Sequence, residues 1–173
     1  RYFFDHVEPE VAKAIDEARR ILHRLGARFT QAEIPHADEG GTAQMVTMLS
    51  ESPAVNPQSL TTSPDDFTTP VRPMFEQGTL TSAVSYLKAQ QVRTVIKEEY
   101  LAALAEVDAL LYPTSPMVPF KPSESPSSID DIPSVGRCTL ALNLAGLPGL
   151  SVPCGFTKNG LPIAMQIVGR HFD

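Results

Sequence analysis

Asn143-Leu144-Ala145-Gly146-Leu147-Pro148-Gly149-Leu150-Ser151-Val152-Pro153-Cys154-Gly155, followed after four residues by Gly160-Leu161-Pro162-Ile163-Ala164-Met165-Gln166-Ile167-Val168-Gly169-Arg170, is the stretch that decides the fold. It reads as a helix end, a tight Gly-Pro turn, an apolar strand over 149–156, a hairpin turn at Asn159-Gly160 and a second apolar strand over 161–168. Asn-Gly between two apolar runs is a strong short-range hairpin signal, and a two-residue turn of that kind requires positive φ at both positions. Working back toward the N-terminus, residues 137–145 suit a short helix leading into the hairpin. Residues 117–133 are rich in Pro and Ser and read as irregular loop. Residues 107–112 form a nearly unbroken apolar run closed by Pro113, as expected of an interior parallel strand.

Further upstream, residues 80–105 suit a long helix, with Val84, Leu87, Val95, Tyr100, Leu101 and Leu104 as its buried side. Residues 50–73 contain five prolines among many Ser and Thr and read as a long ordered loop or lid; residues 42–49 suit a short helix, and Gly40-Gly41 a bend. Residues 9–25 place Val11, Ile15, Ala18, Leu22 and Leu25 on one helical face, with Pro9 in the first turn and Gly26 just past the end. Residues 29–34 then suit a short strand stopped by Pro35. Helices alternating with apolar strands, plus one hairpin, predict an α/β fold: part of a mixed central β-sheet covered by helices.

The 173 residues fit one domain or part of a larger one. A formal net charge of -6 argues against nucleic acid or an anionic membrane as partner. No run approaches the roughly 20 apolar residues of a membrane span, and no signal peptide is visible. The two cysteines, Cys138 and Cys154, sit in apolar surroundings with no Cys-x-x-Cys pair, so they read as reduced thiols compatible with the cytoplasm. The search for a site finds little. Gly149-Leu150-Ser151-Val152-Pro153 lacks the second glycine of a nucleophile elbow, and Ser151 reads as a strand residue. The four histidines, His6, His23, His36 and His171, form no metal-ligand spacing, and nothing in the sequence orders a Cys-His pair. Asp130-Asp131 suit a turn or cap. Neither a metal nor a cofactor is called for.

Four stretches, in order, carry a resemblance. They are residues 11–27 with the Leu25-Gly26-Ala27 end; residues 78–93 with Tyr86-Leu87-Lys88-Ala89 and Arg93; Val107-Asp108-Ala109-Leu110-Leu111-Tyr112-Pro113-Thr114-Ser115-Pro116; and Gly136-Arg137-Cys138-Thr139 running to Arg170. Together they resemble the C-terminal part of an amidase signature enzyme, the last being the most specific. The resemblance implies a single domain whose N-terminal catalytic half is not in this chain. It implies hydrolysis of carboxylic amides by a Ser-Ser-Lys triad, with a serine nucleophile activated through a second serine and a neutral lysine. The family's Gly-Gly-Ser-Ser-Gly-Gly-like loop has no counterpart here: the lone Ser-Ser pair, Ser127-Ser128, has no glycine beside it. No catalytic residue is therefore assigned. By position, Arg137, Cys138 and Thr139 are candidates for the substrate-pocket wall, while Thr139 and Asn143 could instead simply brace the helix. Expected partners are the N-terminal half of the same enzyme and a small-molecule amide, with a homodimer left open. The glutamyl-tRNA amidotransferase of the A-subunit type is the alternative within the family. There an acidic residue stands near the position of Gly136, so its absence favours a general amidase. Ala141 replaces a proline common in the family, a change that would reshape the wall. A non-catalytic remnant or interaction domain that keeps the fold without the triad is the alternative from another functional class.

Overall fold

The computed structural model describes residues 2–55, 57–68, 71–121 and 132–172. Ser127-Ser128 and Asp130-Asp131 lie outside them. Among the described residues ten helices and strands follow one another: α1 (Pro9–Arg24), α2 (Ala37–Val55), α3 (Pro57–Thr62), α4 (Arg72–Gly78), α5 (Ala83–Glu106), β1 (Leu110–Pro113), α6 (Ile132–Val135), α7 (Leu140–Ala145), β2 (Gly149–Phe156) and β3 (Pro162–Val168). A short 3-10 turn, Tyr2–Phe4, precedes them. No helix among the described residues is long and apolar enough to cross a membrane.

The sheet has the order β1-β3-β2, and both pairings are antiparallel. Residues 107–112 therefore do not form an interior parallel strand. The strand begins only at Leu110, because α5 runs on to Glu106, and it lies at one side of this sheet. Its apolar run has another cause: both faces of the sheet are covered. Leu110, Tyr112 and Val168 belong to a core with Ile96, Tyr100 and Leu104 of α5 and Leu142 and Leu144 of α7. Leu111, Ile163, Met165 and Ile167, on the opposite face, pack with Val11 and Ile15 of α1. The result is three layers: α1, the sheet, then α2, α5 and α7.

α1 forms where its periodicity predicts, except that Leu25, expected on the buried face, follows the helix and is 79% exposed. Val11, Ile15 and Ala18 are buried, and Gly26 follows with φ 102°. Its first turn also ties down two loops. Glu8 Oε2 accepts from the Val118 backbone N–H at 3.2 Å, and Glu10 Oε2 accepts from that of Lys158 at 2.8 Å. Residues 29–34, by contrast, form no strand and pair with none among the described residues. Only Ala32 and Ile34 reach the core, and Phe29 stays exposed.

The proline-rich stretch is largely helical, which overturns the loop expected over residues 50–73. Pro57 opens α3, Pro64 opens a 3-10 turn, and Pro73 sits in the first turn of α4, where the missing N–H costs no helical bond. Pro53 is different, lying inside α2. It cannot donate to the carbonyl of Leu49. α4 crosses α2 at that carbonyl: a Cβ on Gly78 would come within 1.9 Å of the Leu49 oxygen. Gly40-Gly41 is likewise helix rather than bend. A Cβ on Gly40 would lie 2.6 Å from the Ala141 Cβ, so α2 and α7 pack in near-backbone contact.

α5 is capped by Ser82, whose hydroxyl accepts from the Ser85 N–H at 3.1 Å. At its other end the Arg170 guanidinium donates to the carbonyls of Leu104 and Val107. Its buried stripe is Ala89, Ile96, Tyr100 and Leu104. Of the expected buried side, Val84, Leu87, Val95 and Leu101 are exposed. The hairpin also differs in detail. The Gly160 N–H donates to the Thr157 carbonyl and the Thr157 N–H to that of Leu161, with Gly160 alone at positive φ, 78°. The connection is a three-residue loop with glycine in the left-handed position, rather than a two-residue turn with two such residues.

Candidate functional site

Residues 136–139 form the turn that feeds α7. The N–H groups of Thr139 and Leu140 both donate to the Gly136 carbonyl, at 2.8 and 2.9 Å, and the Thr139 hydroxyl donates to the same oxygen at 3.2 Å. Thr139 is the residue before α7, but its side chain makes no capping bond to the helix; it closes the turn instead. Gly136 thus serves this segment through its carbonyl.

The three residues singled out from the sequence are brought together and held from two sides. Arg137 Nε and Nη2 donate to the Tyr2 carbonyl at 3.2 and 3.1 Å, and the guanidinium carbon lies 3.8 Å from the centre of the Tyr2 ring. Cys138 is fully buried, and its thiol donates to the Phe3 carbonyl at 3.8 Å. Phe3 in turn stacks on Tyr112 with ring centres 4.3 Å apart and planes at 16°. The 3-10 turn at the start of the chain is therefore a wedge between the 136–139 segment and the sheet. From the sheet side, Gln166 Nε2 donates to the Cys138 carbonyl at 3.2 Å.

The electrostatics of this region favour neutral groups. Burial pushes the Cys138 thiol up to about 11, with the Arg137 charge opposing. At neutral pH it is a thiol rather than a thiolate, which removes it as a nucleophile. Burial pushes Tyr112 up to about 12 and raises Tyr100 further; the two hydroxyls are 3.2 Å apart. Cys154 is raised by burial as well. His23 Nδ1 bonds the Ala27 carbonyl and His36 bonds Glu99, so neither is directed at a cysteine. Among the described residues no group of three His, Cys, Asp or Glu side chains could hold a metal.

Two other predicted features are located. Ser151 is a β2 residue, as expected, and its hydroxyl is 3.0 Å from that of Thr114 beyond the end of β1. Ala141 is buried against Gly40, so the residue replacing the expected proline faces α2 and not a pocket. Gln166 was missed. Its signal lay in plain view: it is the lone polar side chain in the run 163–168. Tyr2 was missed because nothing local in the sequence marks it.

A hairpin packed on α1, a helix α7 ending at Gly146 with φ 73°, and a part-buried turn before that helix make up the segment that carried the resemblance. The chain belongs to the amidase family, whose model matches residues 1–173. It is 37% identical to the A-subunit of a glutamyl-tRNA(Gln) amidotransferase from Myxococcus xanthus, over 99% of this chain and 40% of that protein. It is 35% identical to an amidase of Pseudomonas putida, over 99% of this chain and 38% of that one. Among solved structures, an amidase matches with TM-score 0.83 at 26% identity, covering 98% of this chain and 40% of its own. The corresponding glutamyl-tRNA(Gln) amidotransferase A-subunit of Thermotoga maritima matches with TM-score 0.76 at 33% identity, covering 96% and 36%. The chain thus spans about 40% of the length of the curated relatives it matches.

Proposed function

We propose that this chain is the C-terminal part of a single-domain amidase that hydrolyses carboxylic amide C–N bonds, with catalysis supplied by a Ser-Ser-Lys triad in an N-terminal half. The observation that carries this reading is the family match along all 173 residues of a chain that spans about 40% of its curated relatives. In this reading the segment Arg137, Cys138 and Thr139 lines the substrate pocket, and its role is to bind and orient the amide. The protein acts in the cytoplasm, in keeping with two free thiols. The test is hydrolysis of a simple aryl amide by three preparations: the 173-residue chain, a separately expressed N-terminal half, and the two together. Turnover by the pair alone is the expected result. Steady turnover by the 173-residue chain, abolished by Ser151→Ala or Cys138→Ala, would overturn it.

A second reading, the amidating component of a glutamyl-tRNA amidotransferase, is favoured by the name of the Myxococcus relative. The two readings separate on whether the full-length polypeptide hydrolyses simple amides without other proteins. Efficient hydrolysis alone supports the amidase, for which the missing acidic side chain at Gly136 also argues.

A further inference from the structure

Gln166 is buried in the middle of β3, on the face turned toward α7. Its cross-strand neighbours are Tyr112 on β1 and Ser151 on β2. Its amide donates to the Cys138 carbonyl at 3.2 Å, and its neighbour Tyr112 shares a hydroxyl contact of 3.2 Å with Tyr100. A buried primary amide is costly unless its bonds are made, and an apolar side chain would fill the same space without that demand. What the amide adds is direction: it fixes the Cys138–Thr139 peptide group.

Building on the pocket-wall reading above, we propose that Gln166 is a positioning residue, which sets the 137–139 segment relative to substrate by holding the Cys138 carbonyl. It touches no substrate itself. The Gln166–Cys138 hydrogen bond ties the segment to β3, where Gln166 sits beside Tyr112 of β1, while Arg137 and the Cys138 thiol tie it to Tyr2 and Phe3. Loss of the amide leaves the second tie in place, so the segment shifts rather than unfolds.

The test uses the full-length polypeptide and two readouts. Gln166→Met keeps length and removes the donor. In a Cys154→Ser background it is expected to raise the rate at which a disulfide reagent labels Cys138 by about tenfold or more, and to raise KM for amides with a smaller change in kcat. Ile15→Ala, in the α1 core across the sheet, serves as the control for lost stability and should alter neither readout at matched melting temperature. Gln166→Glu is the second variant. Its carboxyl donates only when protonated, so KM should fall back toward the wild-type value as pH is lowered. Labelling and KM that follow the Ile15→Ala control in both Gln166 variants would overturn the proposal. If Arg137→Ala and Thr139→Val change KM while the Gln166 variants do not, only this inference falls. If none of the four changes KM, the pocket-wall reading falls with it.

Discussion

Gly78 meets the Leu49 carbonyl where Pro53 has removed that oxygen's helical donor, and the contact leaves no room for a methyl group. Gly78→Ala should therefore force α4 off α2 and cost about 1–3 kcal/mol, the range for overpacking, read from a denaturant midpoint. Gly160 is the opposite case. Open space surrounds its missing Cβ, so strain there is purely backbone. Gly160→Val should cost roughly 1–2 kcal/mol, and Gly160→Asn less, because asparagine tolerates the left-handed region. Equal melting of the two variants would show that the loop had relaxed. At His36, the Glu99 carboxylate raises the imidazole pKa by hydrogen bond and charge, with Glu39 and Asp38 adding to it and burial opposing. A raised folded value means that the stabilisation is complete below the unfolded value of about 6.5. It fades as pH rises through the folded value. The melting difference between wild type and His36→Ala should accordingly be largest near pH 6 and shrink above it. A difference that grows with pH would contradict the pairing.

Elements differed in how far they could be read from sequence. α1 was legible because one apolar face alternates with charge and its ends carry Pro9 and Gly26. The hairpin strands were legible because both are apolar runs and the turn carries its own chemistry, although the loop proved one residue longer and β2 is largely exposed. The stretch over 50–73 was not legible: prolines that open helices and prolines in loops look alike without the elements they precede. α5 was legible as a helix but not in its facing, since Ile96, Tyr100 and Leu104 compete with a second apolar set, Val84, Leu87, Val95 and Leu101. Packing of α2 against the side that holds the small Ala89 decided the matter. Two substitutions follow from that choice. With the N-terminal half present, Leu104→Ala should cost about 2–5 kcal/mol, clearly more than Leu87→Ala, which is 60% exposed in this chain. Thermal melts of both would check it, and a large loss at Leu87 would mean that the expected facing was right after all. Of the candidate site the sequence marked only the adjacent residues Arg137, Cys138 and Thr139; the partners that hold the segment, Tyr2, Phe3 and Gln166, are distant in sequence and were not legible.

At the level of the molecule, β2 pairs with β3 on one side, and no described strand pairs its other edge. Leu150 and Phe156 on that strand are 61% and 71% exposed. An uncovered edge with apolar side chains invites association. The isolated chain should bind a hydrophobic dye or self-associate, and addition of the N-terminal half should suppress both. A monomer with a sharp thermal transition and no dye binding would count against this and against the proposed two-part enzyme. The wedge at Tyr2–Phe4 has a further consequence, for biosynthesis. Its bonds to Arg137 and Cys138 span 135 residues, and that from Lys158 to Glu10 spans 148. At roughly 5–20 residues per second, a ribosome needs on the order of ten seconds to deliver those partners. Throughout that interval the apolar stripe of α1 and the Phe3 ring have emerged without the surfaces that bury them. The nascent chain is then a ready substrate for holding chaperones until β3, whose Ile163 and Met165 cover the α1 stripe, has been made.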